Sequence, residues 1–448
     1  MNEHEILNAK YGVSVICIFL FGVDFVNIQE LIGGIRGCAC GRDHVCPIET
    51  VEIGPKALDV LEEKCRSFDT IVLLADENTW EACGKMVAEK LSAKNPAIVV
   101  MPYGKERLVP NEAAVAYAEA HMPEKVDLIV GVGSGVINDM SRFISFKRGI
   151  SYYIVATAPS MDGYASSVAA MLFGGMKTTL PAHTPKAIFA VSEVIRNAPM
   201  EMLQAGYGDI VGKFSCLNDW KLGALLYDEY YCQKVYDILY ETAVLVRDLA
   251  DGILARDAQA VDTLMGALVA AGITIAYVGN SRPASGSEHH LSHFFEITGL
   301  QGNLPYFDHG LDVLYSSVLT ARMREQIAKS QPVRRERDKT AWEKEIKRVY
   351  TGSAEGVFAL QKEYGMYEQD DYGIITEKWD AICKLMQEAP NGTEAEKMVE
   401  AIGLHFSDME KMYGIDKLRD AVVYGKDIRD RHSVLWVFNK YIPEVDIL

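Results

Sequence analysis

Between residues 50 and 160, short apolar runs alternate with stretches of helical periodicity, and that alternation limits the chain to few folds. Ile71–Ala75, Ala97–Met101, Asp127–Gly131 and Tyr152–Ala156 are nearly continuous in apolar side chains. A strand with one face in water would alternate apolar and polar positions, so runs like these belong to a sheet covered on both faces. Helical patterns at Asn78–Leu91, near Asn111–His121 and at about Gly135–Lys147 separate the runs. Strands joined by helices in this way make a parallel sheet.

The pattern changes after Ala156. Ser167–Leu180 reads as a hairpin turning at Gly174–Gly175. A last strand is expected over Ala187–Val191. Beyond Pro199 the 3.6-residue period dominates to the end, and 448 residues exceed one ordinary core. The expectation is therefore an α/β protein. An N-terminal Rossmann-like parallel-sheet domain, residues 1–197, precedes an all-helical C-terminal domain, residues 198–448, with the active site in the cleft between them.

A net charge of −17 disfavours nucleic acid and anionic membrane as partners, because both demand a basic face. The apolar stretch Tyr11–Val26 is broken by Asp24 and is short for a bilayer span. It lacks the marks of a signal peptide, so it reads as an extra helix or strand, or as an over-extended translation start. Nine cysteines, mostly scattered, give no disulfide framework and point to a reducing, cytoplasmic setting. Cys38, Cys40, His44 and Cys46 place four soft ligands in nine residues. Their spacing is not that of a zinc finger, and they are expected to form a loop leading into the first strand.

Parallel sheets bind ligands beyond the C-terminal ends of their strands. Asp76 follows the first apolar run, where its carboxylate could accept from ribose hydroxyls or cap the next helix. Gly131-Val-Gly-Ser-Gly135 ends the third run and opens a helix, so Gly131, Gly133, Ser134 and Gly135 are placed for a pyrophosphate. Thr157 and Ser160 offer hydroxyls near a diphosphate or nicotinamide, and Asp162 offers a carboxylate to a polyol.

The helical half holds Asp209 in GYGDIVGKF, His289, His290 and His293 in SRPASGSEHHLSH, and His309 in DHGLDV. In a helix, His289 and His293 share one face. One carboxylate and two imidazoles on separate helices can hold a divalent cation and leave positions open for substrate.

Together GVGSGVIND, TAPSMDGYAS, GYGDIVGKF, SRPASGSEHHLSH and DHGLDV resemble the sn-glycerol-1-phosphate dehydrogenases. These belong to the larger group of metal-dependent dehydrogenases and dehydroquinate synthases. The resemblance implies one divalent metal, zinc or nickel, held by Asp209, His289 and His309. It implies Asp162, Asp209 and His293 at the substrate, with His293 relaying a proton. It also implies cofactor contacts from Asp76, the Gly131–Gly135 loop, Thr157, Ser160 and Ser166. The cofactor is expected to be NAD, with NADP possible, and the substrate a small phosphorylated three-carbon compound. A homodimer is expected on the same ground. Arg282 and Lys213 are candidates for the phosphate, and Arg282 could equally be an interdomain salt-bridge residue. The competing functions are a glycerol or polyol dehydrogenase, a cyclising synthase, and a cofactor-binding protein without turnover.

Overall fold

A computed structural model describes residues 27–102, 108–174, 176–335, 338–443 and 445–448. The Tyr11–Val26 stretch, and Gly175 of the expected turn, lie outside the described residues.

Six strands form one parallel sheet: β1 (Thr50–Ile53), β2 (Ile71–Asp76), β3 (Ala97–Met101), β4 (Leu128–Gly133), β5 (Ser151–Ala156) and β8 (Ala187–Ala190). Their order is β1-β8-β5-β4-β2-β3, with every pairing parallel. Burial follows position in that order. The inner strands β2 and β4 are buried at every residue, while β3, at the edge, leaves Ile98 exposed. The connection from β2 runs outward to β3 and returns past it to β4. The crevice between the β2 and β4 ends is thus the topological switch point, where such sheets hold ligands. Between β5 and β8, β6 (Val168–Phe173) and β7 (Met176–Pro181) pair antiparallel as the expected hairpin.

The helix expected over Asn78–Leu91 spans Glu77–Lys90, with a wider π turn at Trp80–Gly84. There the Trp80 ring lies where a side chain on Gly84 would stand.

After β8, every regular element among the described residues is helical. Five helices matter most for position, besides α1 (Gly135–Arg148), which follows β4: α2 (Met200–Val211), α3 (Lys213–Tyr227), α4 (Ala258–Val278), α5 (Ser287–Gly302) and α6 (His309–Lys329). The sheet's two faces bury separate clusters. One is closed off by the short helices around Ala57–Leu91; the other continues without a break into the helical half. Helix α4 is long and apolar enough to cross a membrane, but 89% of its most apolar window is buried inside the protein. Its apolarity is that of a core helix.

Two contacts set the geometry of the cleft. Helices α2 and α6 touch backbone to backbone: a Cβ on Gly208 would stand 2.3 Å from the Gly310 carbonyl oxygen. This approach brings Asp209 of α2 beside His309, the first residue of α6. The second contact is ionic. The Lys213 ammonium, fully buried, donates to Asp162 Oδ2 (2.7 Å), Asp209 Oδ1 (2.8 Å) and the Ala284 carbonyl (3.0 Å). It thereby ties the turn after β5 to the helical half. Burial opposes charge on all three groups. Attraction to the two carboxylates nevertheless holds Lys213 well above the usual lysine range. Against the same burial, Lys213 and then His289 hold Asp209 well below the carboxylate range. Asp162 is pushed up by burial and by the Asp209 charge.

Gly208→Ala is expected to lower stability by about 1–3 kcal/mol, as overpacked cores do. An unchanged thermal midpoint would show that α2 and α6 can part without cost.

Lys213→Met strands two buried carboxylates and should cost about 3–5 kcal/mol at neutral pH. In the wild type the Asp209 contribution is present above the unfolded-state pKa and lost as pH falls through its depressed folded value. In the variant both carboxyls titrate above their unfolded values, so the cost is greatest at neutral pH and fades as acid protonates them. Unfolding of both proteins across pH, with chelator present throughout, checks the sign. A deficit that does not shrink in acid would remove the ion pair as its cause.

Candidate active site

A cavity of about 860 Å³ opens between the sheet ends and the helical half. Gly135, Asp162, Ser166, His289, His293 and His309 line it. Asp209 lies fully buried beneath, where the Asp162 backbone N–H donates to its Oδ2 at 2.8 Å.

Candidate ligand atoms of Asp209, His289 and His309 all lie within 4.8 Å of one another. His289 is turned by its neighbour. Its Nδ1 is 2.6 Å from Glu288 Oε1, so Nδ1 carries the proton and Nε2 faces Asp209 Oδ1 at 3.5 Å. Glu288 itself accepts from the Gly286 N–H at 2.9 Å and is fully buried. A carboxylate behind the imidazole is the usual way to fix a ligating tautomer. Burial opposes protonation of His289, but Asp209 and Glu288 outweigh it and raise its pKa. His309 Nδ1 is engaged by Ser292 Oγ at 3.1 Å. His290 stays outside the group. It is buried, and burial together with the positive field of Arg429, Arg431 and Arg282 keeps it neutral.

His293 stands at the cavity wall, its ring stacked on His309 with centroids 5.3 Å apart and Nδ1 3.5 Å from Glu296. His293, Glu296 and His309 form a second group with mutually close ligand atoms.

The glycines after β4 divide by role. A Cβ on Gly131 would meet Ser141 Oγ at 2.4 Å, and one on Gly133 would meet Ile137 at 2.6 Å; both let α1 pack close on the strand. Gly135 faces the cavity, with no atom nearer its Cβ position than Met161 Cε at 3.7 Å. No side chain caps α1, so its first N–H groups point outward at the switch point. Thr157 continues from β5, its N–H bonded to the Gly133 carbonyl at 3.2 Å. Gly131, Gly133, Ser134, Thr157 and Ser160 do not line the cavity. Nor does Asp76, whose Oδ1 accepts from Thr79 N at 2.8 Å in a complete capping box. Of its two expected roles, the cap is the one the geometry displays.

Both phosphate candidates are engaged elsewhere. Lys213 spends its three N–H bonds on Asp162, Asp209 and Ala284. Arg282 forms a two-point pair with Glu229 (2.7 and 2.9 Å) and donates to the His432 carbonyl (2.7 Å). Glu229 belongs to the helical half, so this pair does not bridge the two halves.

The cations that line the cavity are Arg142, whose bonds are spent on the loop after β5, and Arg429 and Arg431, from a segment carrying none of the motifs. Arg431 donates to Ser281 Oγ (2.8 Å) and the Ser285 carbonyl (3.3 Å). Burial, then repulsion from Arg429 and Arg282, bring its pKa down to about 10. Burial also lowers Arg429. Two partly desolvated guanidiniums on one wall form a site that an anion would relieve. Sequence reasoning also passed over Arg142. Buried in α1, it donates to the carbonyls of Gly163 (2.5 Å), Tyr164 (3.1 Å) and Val168 (3.0 Å) and so holds the loop that carries Asp162 and Ser166.

Comparison with known proteins agrees with this architecture. Residues 52–199 match the family described as iron-containing alcohol dehydrogenase. The glycerol-1-phosphate dehydrogenase [NAD(P)+] of Geobacillus stearothermophilus is 33% identical over 293 residues, 64% of this chain and 72% of that protein. That of Bacillus licheniformis is 28% identical over 426 residues, 92% of this chain and 96% of that protein. Among solved structures, an iron-containing alcohol dehydrogenase from Thermococcus thioreducens superposes with a TM-score of 0.55 at 13% identity, covering 88% of this chain and 95% of that one. The likeness at that identity is one of fold. On the extent of these sequence matches, the chain belongs to the glycerol-1-phosphate dehydrogenase family.

Proposed function

We propose that the protein interconverts dihydroxyacetone phosphate and sn-glycerol 1-phosphate by hydride transfer at C2 with NAD(P)H, with one divalent cation in the cleft. The observation that carries this reading is a single cavity joining Asp209, His289 and His309 at its floor to Arg429 and Arg431 on its wall. The sheet half, residues 1–197, would serve the nucleotide, and residues 198–448 the cation and substrate.

The donor set fits a divalent ion. It offers one ionised carboxylate, one imidazole whose tautomer Glu288 fixes, and a second imidazole anchored by Ser292. Oxygen and nitrogen donors suit either zinc or nickel. The chemistry such an ion supplies is Lewis-acid polarisation of the substrate's C2 oxygen, and that of the nicotinamide is the hydride. The chain's own groups do the remainder. Arg429 and Arg431 hold the phosphate and so fix which end of the three-carbon unit enters first. Asp162, kept in place by Lys213, accepts from a substrate hydroxyl. His293 moves a proton to or from the substrate oxygen, with Glu296 behind it. The uncapped α1 N-terminus and Gly135 receive the pyrophosphate. Asp76, at the β2 end of the switch point, retains a second carboxylate oxygen for a ribose hydroxyl, which favours NAD over NADP.

Assay of NADH oxidation with dihydroxyacetone phosphate after metal loading, followed by chiral analysis, should give the sn-1 product. Turnover confined to unphosphorylated polyols, or the sn-3 product alone, would refute the reading. His309→Ala should lose both the cleft metal and turnover, whereas His293→Ala should keep the metal and lose roughly 10²- to 10⁴-fold in rate. Metal loss of equal extent in both variants would make His293 a ligand.

Arg431→Met should raise the KM for dihydroxyacetone phosphate by roughly tenfold to a hundredfold, the worth of a charge-assisted hydrogen bond. The KM for unphosphorylated dihydroxyacetone should hardly move. If both rise together, Arg431 shapes the cavity and does not bind the phosphate.

A further inference from the structure

Outside the cleft, a second set of metal-ligating side chains converges. The expected grouping of Cys38, Cys40, His44 and Cys46 is not the one that forms. Cys46 falls outside, and Cys232, from the residue preceding the Gln233–Asp248 helix, takes the fourth position. Cys38 Sγ lies 3.6 Å from Cys232 Sγ, and His44 Nε2 lies 3.4 Å from both Cys40 Sγ and Cys232 Sγ. We propose that Cys38, Cys40, His44 and Cys232 bind a structural zinc ion, separate from the cation of the active site.

The distances are those of a tetrahedron's edges. With zinc–sulfur bonds of about 2.3 Å and zinc–nitrogen bonds of about 2.0–2.1 Å, two sulfurs stand roughly 3.8 Å apart and a sulfur and a nitrogen roughly 3.5 Å apart. The imidazole is already aimed. His44 is buried and its Nδ1 meets the Tyr277 carbonyl at 3.1 Å, which places the proton on Nδ1 and the lone pair of Nε2 toward the three sulfurs. The loop is also preformed. Ile35 and His44 exchange two backbone hydrogen bonds (2.9 and 2.8 Å), and the Gly41 N–H closes a turn on the Cys38 carbonyl (2.9 Å) with Gly41 at φ +83°. This turn brings Cys38 and Cys40 to the same point.

Four protein ligands leave no open coordination position, so the ion's work is to crosslink. It would join the loop before β1 to the start of the Gln233–Asp248 helix. Through His44 it would also join that loop to the end of α4, beside the bond that the Tyr277 hydroxyl donates to the Leu31 carbonyl. The thiolate donors are soft, whereas those of the cleft are nitrogen and oxygen. The two sites therefore differ in metal choice and in resistance to chelators.

The rival state is a Cys38–Cys232 disulfide, which loses two hydrogens and draws the sulfurs to about 2.05 Å. The presence of Cys40 and His44 at the same point favours the ion.

The test is metal stoichiometry, by elemental analysis and native mass spectrometry under reducing conditions. The variants are His309→Ala, which empties the cleft, Cys232→Ser, and Cys46→Ser as control. About one zinc per chain is expected in His309→Ala and in His309→Ala/Cys46→Ser, and none in His309→Ala/Cys232→Ser. Should Cys232→Ser fail to fold, cobalt-loaded His309→Ala protein decides: thiolate-to-cobalt charge-transfer absorption is expected. Folded His309→Ala protein that holds no metal and shows no such absorption, or peptide mapping that recovers Cys38 disulfide-linked to Cys232, would overturn the proposal.

Discussion

Everything in the cleft depends on one buried cation. Lys213 is fully buried against two carboxylates, and Asp209, equally buried, depends first on it to stay ionised. Removing three ionic groups from solvent is costly, and their mutual attraction roughly offsets that cost rather than exceeding it. The arrangement is therefore poor evidence of extra stability and good evidence of specificity. It keeps Asp209 ionised and turned toward His289, and it fixes the loop after β5 at one distance from the helices. Arg142 holds the same loop from the sheet side, so Asp162 is restrained by a cation from each half.

Apolar periodicity made the sheet legible. The runs at 71–75, 97–101 and 152–156 lie where strands form, because strands of a sheet covered on both faces are rich in apolar residues, even at the edge strand β3. The constellation of Asp209, His289 and His309 was legible through motifs, since each sits in a short segment with a recognisable neighbourhood. What stayed hidden lacks a local signal. Cys232 has no cysteine near it in sequence, and Arg429 and Arg431 lie in a tail whose charges look like any solvated surface. Lys213 was noticed and misread, because an ammonium beside a substrate site suggests phosphate until two carboxylates are seen to occupy it. Glu288 passed unremarked inside its motif, although adjacency alone lets it bond His289 Nδ1. Asp76 had two readings at the level of sequence, and the capping box is a geometric fact that sequence could state only as an option.

The electrostatics of the whole chain and of the cleft point in opposite directions. A net charge of −17 repels a phosphorylated substrate at long range. The guanidiniums of Arg429 and Arg431 act only within the cavity, where partial burial weakens screening. Recognition of an anion by such a protein is a short-range matter of placed donors, not of steering. The close approach of α2 and α6 belongs to the same logic, since Gly208 and Gly310 give up side chains so that a carboxylate and an imidazole on different helices can share a point.

The contact between Cys38 and Cys232 has a temporal side. The two residues are 194 positions apart in the chain. At a synthesis rate of about 5–20 residues per second, Cys38 precedes Cys232 from the ribosome by roughly 10–40 s. Through that interval the nascent loop holds two thiols and an imidazole with no fourth partner, and β1 likewise waits for β8, its only neighbour in the sheet. The first described segments of this chain thus wait for partners that lie well over a hundred positions downstream. The sheet edge closes once β8 has emerged, before the helical half, and the loop at Cys38 gains its fourth partner only when the start of that half follows.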